Sequence, residues 1–364
     1  MTNPEEILVR GPNWAGDLVM ATPGFRALRA HLPAARMTLA VPPALVPLLA
    51  GAPWFDEIVS IGSSGRGPLA VLRDGLRLRR QRAFDLGLCL PDSFSSALHM
   101  RAAGVRRIVG YRSDWRRALL HVTVEPPRDR DGRRAWIPRE RHVLGLVEAL
   151  GAPARGTHLE LFVTEAERSR ADALLAAEGL DGDAPLALLA PGASYGPSKL
   201  WPAASFAALG DALLRAGARV ALVGSPGERA LARRVAEAMA HPACDLSGRL
   251  DLGTLKAVIR RARVLVCNDA GARHVAVAFG VPCIVLMGPT SLAKTHLNLE
   301  RVRVLTADVG CRPCYLRACP IDHRCMTRIA PARVVEAALP ALEPDARRAW
   351  RGDGGLRPVP RGEA

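Results

Sequence analysis

Lysine is nearly missing from this 364-residue chain: only Lys199, Lys256 and Lys294 occur, so almost all of the net charge of +15 is carried by arginine. A balance this basic asks for an acidic partner, whether nucleic acid, an anionic membrane or a phosphate-rich substrate. Aromatic residues are also scarce, at 4% of the chain. Among the arginine-rich stretches only Tyr111, Trp115 and Trp136 are interleaved, which is thin for the stacking platform of a single-strand nucleic-acid binder. No apolar run approaches the roughly 20 residues that a bilayer-spanning helix needs. Glu5 and Glu6 stand where a signal peptide would carry positive charge, so a cytoplasmic protein is expected. In that reducing compartment the eight cysteines are not expected to form disulfides; Cys89, Cys244, Cys267 and Cys283 sit in apolar surroundings as ordinary buried residues would. The chain offers no Gly-x-Gly-x-x-Gly with an acidic residue ending the next strand, which counts against a dinucleotide-dependent oxidoreductase. Repeats of the solenoid kind are absent as well.

What the chain does contain is an alternation of short apolar runs and helix-period segments. Ile7 to Val9, Met37 to Val41 and Leu86 to Leu90 read as strands; Leu186 to Ala190, Val220 to Val223, Val264 to Cys267 and Ile284 to Met287 repeat the pattern in the second half. This spacing predicts βαβ units around parallel sheets. Helices are expected from about Asp17, from Glu165 to Glu178 and from Val334 to Leu342. The length suffices for two domains with real cores. The expected division is residues 1–170 and 171–345, followed by a Gly-, Pro- and Arg-rich tail, 346–364, expected to be disordered. Two similar α/β halves with a cleft between them are therefore expected, with ligands outside the carboxyl ends of the strands.

The strongest site signal runs from Arg263 to Thr290, where an apolar run breaks at Asn268-Asp269-Ala270-Gly271 before a short helix bearing His274. A small-residue turn there exposes unpaired N–H groups at a helix N-terminus, a ready site for phosphate. A second strand ends in Pro191 to Pro202, whose small residues admit close approach and whose Lys199 supplies a point charge. It contains Gly192-x-Ser194-x-Gly196, formally a nucleophile elbow, but Pro197 and Pro202 delay the helix that an elbow requires at once. After the first strand, Gly11 to Asp17 places Asp17 in the first helical turn, either as a helix cap or as a general base.

Other candidates read more blandly. Asp129-Arg130-Asp131 and Asp181-Gly182-Asp183 spell Asp-x-Asp, which holds divalent metal in some sugar-nucleotide enzymes, but both lie in polar stretches and read as loops. Cys311, Cys314, Cys319 and Cys325, with His323 inside the last interval, form the most metal-like cluster, a candidate structural zinc site. The arginines at 77–82, 101–117 and 128–141 read first as a solvated basic face, and otherwise as contacts for a large anionic acceptor or an acidic leaflet.

Together these segments resemble the bacterial ADP-heptose:lipopolysaccharide heptosyltransferases, glycosyltransferase family 9, and most closely its heptosyltransferase II branch. The likeness runs from about Ile7 to about Leu342 and is most specific at Gly11 to Asp17, Pro191 to Pro202, and Asn268 to Pro282 with Gly288-Pro289-Thr290. The resemblance implies the GT-B fold: an acceptor-binding N-terminal and a nucleotide-sugar-binding C-terminal Rossmann-like domain, their parallel sheets facing across a cleft. It implies inverting transfer of heptose from ADP-heptose to the lipopolysaccharide inner core at the inner face of the cytoplasmic membrane, with no nucleic-acid partner and no cofactor required. Asp17 then matches the base. Lys199 and Ser194 match the phosphate loop, while Asn268, Asp269, Ala270, Gly271 and His274 match the sugar and pyrophosphate segment. Gly224, Ser225 and Glu228 fall at the adenosine end. Asn13, Trp14, Gly16, Ser93 and Arg112 fall on the acceptor side. Ala270 stands where many relatives carry a hydroxyl residue, leaving the backbone N–H groups as donors there.

Overall fold

The computed structural model describes residues 4–62, 67–113, 115–344, 350 and 352. Two compact units, Met1–Phe162 and Val163–Ala364, divide the chain. The helix Glu165–Ala177 therefore lies wholly in the second unit, whereas the expected division at 170 would have cut it. Thr164 and Glu167 make a reciprocal capping box at its start, which fixes where the helix begins. Of the tail 346–364, only two positions are described. Trp350 is buried in the second core with Arg303 over its ring, and Gly352 N–H donates to Glu300 O at 2.7 Å. The other positions of the tail, which was expected to be disordered, lie outside the described residues.

The first unit holds a parallel sheet of β1 (Glu6–Arg10), β2 (Arg36–Val41), β3 (Glu57–Ser60), β4 (Leu86–Cys89), β5 (Arg107–Tyr111) and β6 (Val122–Val124), ordered β3-β2-β1-β4-β5-β6. The second holds β7 (Leu186–Ala190), β8 (Arg219–Leu222), β9 (Cys244–Asp245), β10 (Val264–Asn268), β11 (Cys283–Leu286) and β12 (Val302–Leu305), ordered β12-β11-β10-β7-β8-β9. Renumbered within each unit, both read 3-2-1-4-5-6, the doubly wound order in which helices cover both faces. The central strands are accordingly apolar without alternation: β4, β7, β10 and β11 are buried at every residue.

That strand order creates one switch point in each sheet, where successive connections leave in opposite directions and the loops part. In the first unit it lies between β1 and β4, which pair from Ile7–Leu86 to Arg10–Cys89. In the second it lies between β7 and β10, paired from Ala187–Val264 to Ala190–Cys267. Three of the four loops at these points, after β1, β7 and β10, are segments that the sequence singles out, and the loop after β4 carries Ser93.

Candidate active site

In the first unit the chain leaves β1 pressed against β2: Gly11 N–H donates to Ala40 O at 3.0 Å, and a Cβ at Gly11 would strike Val41. The helix Ala15–Met20 follows, with Trp14 at its N-cap and no side-chain cap. Asp17 is thus not a cap. It is half-buried in the first turn, and its carboxylate makes no hydrogen bond or ion pair among the described residues. The positive end of the helix favours its charge. Asn13 and Trp14 are exposed beside it, and Gly16 is half-buried.

After β4, Asp92 gathers Arg134, the buried Arg116 (3.3 Å) and His142 (3.3 Å). Burial alone would raise the Asp92 pKa; hydrogen bonds and charges from His142 and Arg134 outweigh it and hold the carboxyl well below its ordinary range. Arg116 also donates to Tyr111 O at 2.8 Å, tying β5 to this loop. Ser93, expected on the acceptor side, is the N-cap of the helix Phe94–Ala102, accepting from Ser96 N–H at 3.3 Å. Arg112 pairs with Glu125 at 3.0 Å on an exposed face.

In the second unit a charged cluster forms at the switch point. Lys199 Nζ donates to Asp269 Oδ2 at 2.6 Å and to Asp269 O at 2.9 Å, and Thr290 Oγ1 donates to the same Oδ2 at 2.8 Å. Arg273, 1% exposed, lies 3.6 Å from Asp269 Oδ1. Burial pushes the Asp269 pKa up, but the Lys199 and Arg273 charges outweigh it and the carboxylate stays ionised. Two cations against one anion leave the cluster with one net positive charge. It sits at the start of the helix Gly271–Ala278, whose N-cap, Ala270, supplies no side chain, so its first amide donors remain for a ligand. His274 on this helix is buried, and desolvation with the Arg273 charge lowers its pKa to about 3, so its ring is neutral.

Asn268 has a structural duty rather than the donor contact expected of it. Wholly buried, it accepts from Trp201 N–H at 3.1 Å and donates to Pro191 O at 2.7 Å, stapling both ends of the Lys199 loop to β10. Ser194 is exposed on that loop. Ser225 and Glu228 form a capping box after β8: Glu228 Oε2 accepts from Ser225 N–H at 2.7 Å and from its hydroxyl at 2.8 Å. A Cβ at Gly192 would collide with the Glu228 carboxylate, so that glycine lets the loops after β7 and β8 meet.

The cysteine segment braces this site. Ser198 donates to Leu316 O at 2.6 Å, His323 Nε2 lies 2.6 Å from Ser198 O, Tyr315 N–H donates to Pro289 O at 2.8 Å, and Arg312 Nε donates to Gly288 O at 3.2 Å. Cys311 and Cys314 are exposed, Cys319 is half-buried and Cys325 buried. Among the described residues no three His, Cys, Asp or Glu side chains gather so as to hold a metal ion. The Asp-x-Asp segments are loops: Asp129 Oδ1 accepts from Asp131 and Arg133 N–H groups, and Asp181 faces Arg219 at 3.9 Å. Arg273 and the bracing contacts escaped the sequence reading, whereas Thr290 closes a segment that it marked; the i, i+4 spacing of Asp269 and Arg273 was the signal for the first.

Similarity to known proteins agrees with this arrangement. Lipopolysaccharide heptosyltransferase 2 of Salmonella typhimurium is 31% identical over 91% of this chain and 97% of its own. The solved structure of Escherichia coli ADP-heptose lps heptosyltransferase II is 28% identical with a TM-score of 0.78, covering 93% of this chain and 98% of that one. A glycosyl transferase family 9 structure from Veillonella parvula, 21% identical, matches in fold with a TM-score of 0.81 over 93% of this chain and 97% of its own. The two sheets are those of the GT-B fold. The model of glycosyltransferase family 9 (heptosyltransferase) matches residues 73–324, and the chain belongs to that family.

Proposed function

We propose that the protein transfers a heptose from ADP-heptose to the inner core of lipopolysaccharide with inversion at the anomeric carbon, Asp17 serving as base. The relatives named for this reaction support the donor and acceptor. The observation that carries the reading is the Lys199–Asp269–Arg273 cluster at an open helix N-terminus on the second unit's switch point. It suits a pyrophosphate, whose charge grows as the sugar leaves. Asp17 accepts the proton of an acceptor hydroxyl, whose oxygen then attacks the anomeric carbon as the bond to ADP breaks. The departing phosphate oxygen is met by Lys199 and the amides from Ala270 onward, a preorganised arrangement that draws on no divalent ion. Glu228 Oε1, left open by the capping box, suits a ribose hydroxyl of the adenosine.

The acceptor is an anionic glycolipid, and the exposed Arg77, Arg79, Arg80, Arg106 and Arg107 favour peripheral contact with an acidic leaflet. No helix among the described residues is long and apolar enough to cross a membrane. An assay with truncated lipopolysaccharide decides the matter: ADP-heptose is expected to yield one added heptose by mass spectrometry, insensitive to chelator, whereas transfer from a uridine-linked sugar instead would overturn the donor assignment.

A further inference from the structure

Beside Asp17's loop, the first unit holds a cavity of about 210 Å³ that no step above uses, lined among others by Arg10, Asn13, Asp74, Ser95, Ser96 and His99. Its volume equals about seven waters, room for a small polar group rather than a nucleotide. Two of its walls are chemically unusual. Arg10 ends β1 and is 8% exposed, and among the described residues no carboxylate lies within ion-pair distance of it. Its Nη1 and Nη2 donate to Gly11 O and Asn13 Oδ1, which leaves further N–H donors on the guanidinium. A buried charge without a counter-ion is costly. His99, 3% exposed on the helix Phe94–Ala102, has neither ring nitrogen hydrogen-bonded among the described residues. Burial and the Arg10 charge lower its pKa to about 4, so the ring is neutral and presents one N–H donor. The lining carboxylate, Asp74, is engaged elsewhere, accepting from Gly62 N–H at 2.6 Å with Arg77 at 3.9 Å.

We propose that this cavity is an oxyanion subsite for the acceptor, in which Arg10 and His99 together take a carboxylate or phosphate group carried on the acceptor sugar. An anion supplies at once the counter-charge that Arg10 lacks and the partner that His99 lacks. The inference rests on the acceptor reading of the first unit, and it makes Arg10 and His99 binding residues that the sequence did not mark.

Two measurements test it. In full-length protein with isotopically labelled histidine, the His99 ring signal, assigned by its loss in His99→Gln, is followed at fixed pH against sodium phosphate and sodium glucuronate, with sodium chloride at matched ionic strength as reference. Glucuronate is expected to shift it in the wild type and not in Arg10→Met; no shift with either anion overturns the subsite. In the transfer assay, Arg10→Met is expected to raise KM for the acceptor by about tenfold or more, the scale of one lost charge-assisted hydrogen bond, leave donor KM unchanged, and be partly rescued by Arg10→Lys. A shift with phosphate alone and an unchanged acceptor KM would assign the cavity to free phosphate and overturn the acceptor role. Absence of any heptosyl transfer by the wild type would count against the proposed reaction, while the histidine spectrum still decides whether the cavity binds an anion.

Discussion

In the proposed mechanism Asp17 and Lys199 divide the chemistry between them, and each can be removed separately. Asp17→Asn keeps size and polarity but not basicity, so kcat is expected to fall about 10²–10⁴-fold with ADP affinity by calorimetry unchanged; a near-native kcat would remove Asp17 from the role. Lys199→Met leaves Asp269 to Arg273 and Thr290, and KM for the donor is expected to rise about ten- to hundredfold from the lost charge-assisted bonds. Asn268→Ala separates structure from chemistry: Trp201 N–H and Pro191 O lose their buried partner, and urea unfolding should show a loss of about 2–4 kcal/mol. The sequence made Asp17, Lys199 and Asp269 visible because a charged residue among glycines and alanines stands out. It misled at Asn268, since a polar residue facing a ligand and one stapling two loops look the same until partners are known. Arg10 and His99 stayed hidden for the opposite reason: each sits in an ordinary strand or helix, and only tertiary packing strips them of partners.

The loops after β7, β8 and β11 work as a braced set. Gly192→Ala would push the Glu228 carboxylate aside without touching the core; donor KM is expected to rise several-fold with thermal stability unchanged, and an unchanged KM would dissociate Glu228 from the nucleotide. Strands buried on both faces, such as β7, β10 and β11, were legible as unbroken apolar runs. The short outer strands β6, β9 and β12, and the arginine-led β5, were not, because two to five residues of mixed polarity carry no period of their own. The helix expected from Asp17 is really two, Ala15–Met20 and Thr22–His31, with Pro23 near the start of the second.

Among the buried histidines of the whole molecule, His99 in the first unit and His274 in the second are neutral and contribute to its acid sensitivity. His99 and His274 bind a proton in the unfolded chain at the ordinary 6.5, but in the fold only at about 4 and about 3. Their contribution is full above pH 6.5 and is lost as pH falls from there toward 4, at up to about 1.4 kcal/mol per unit for each histidine. Asp92 and Asp269, with depressed values, lose theirs only at lower pH. Urea midpoints should therefore drop between pH 6.5 and 4, and less steeply in His99→Gln; a flat profile would contradict the burial of neutral rings. Because the residues proposed for acceptor and for donor each lie within one contiguous stretch of chain, on either side of the Phe162–Val163 junction, the two substrate preferences are expected to be separately heritable. Crossing this protein at that peptide bond with a relative of different specificity should give a hybrid that takes its sugar as one parent does and delivers it as the other.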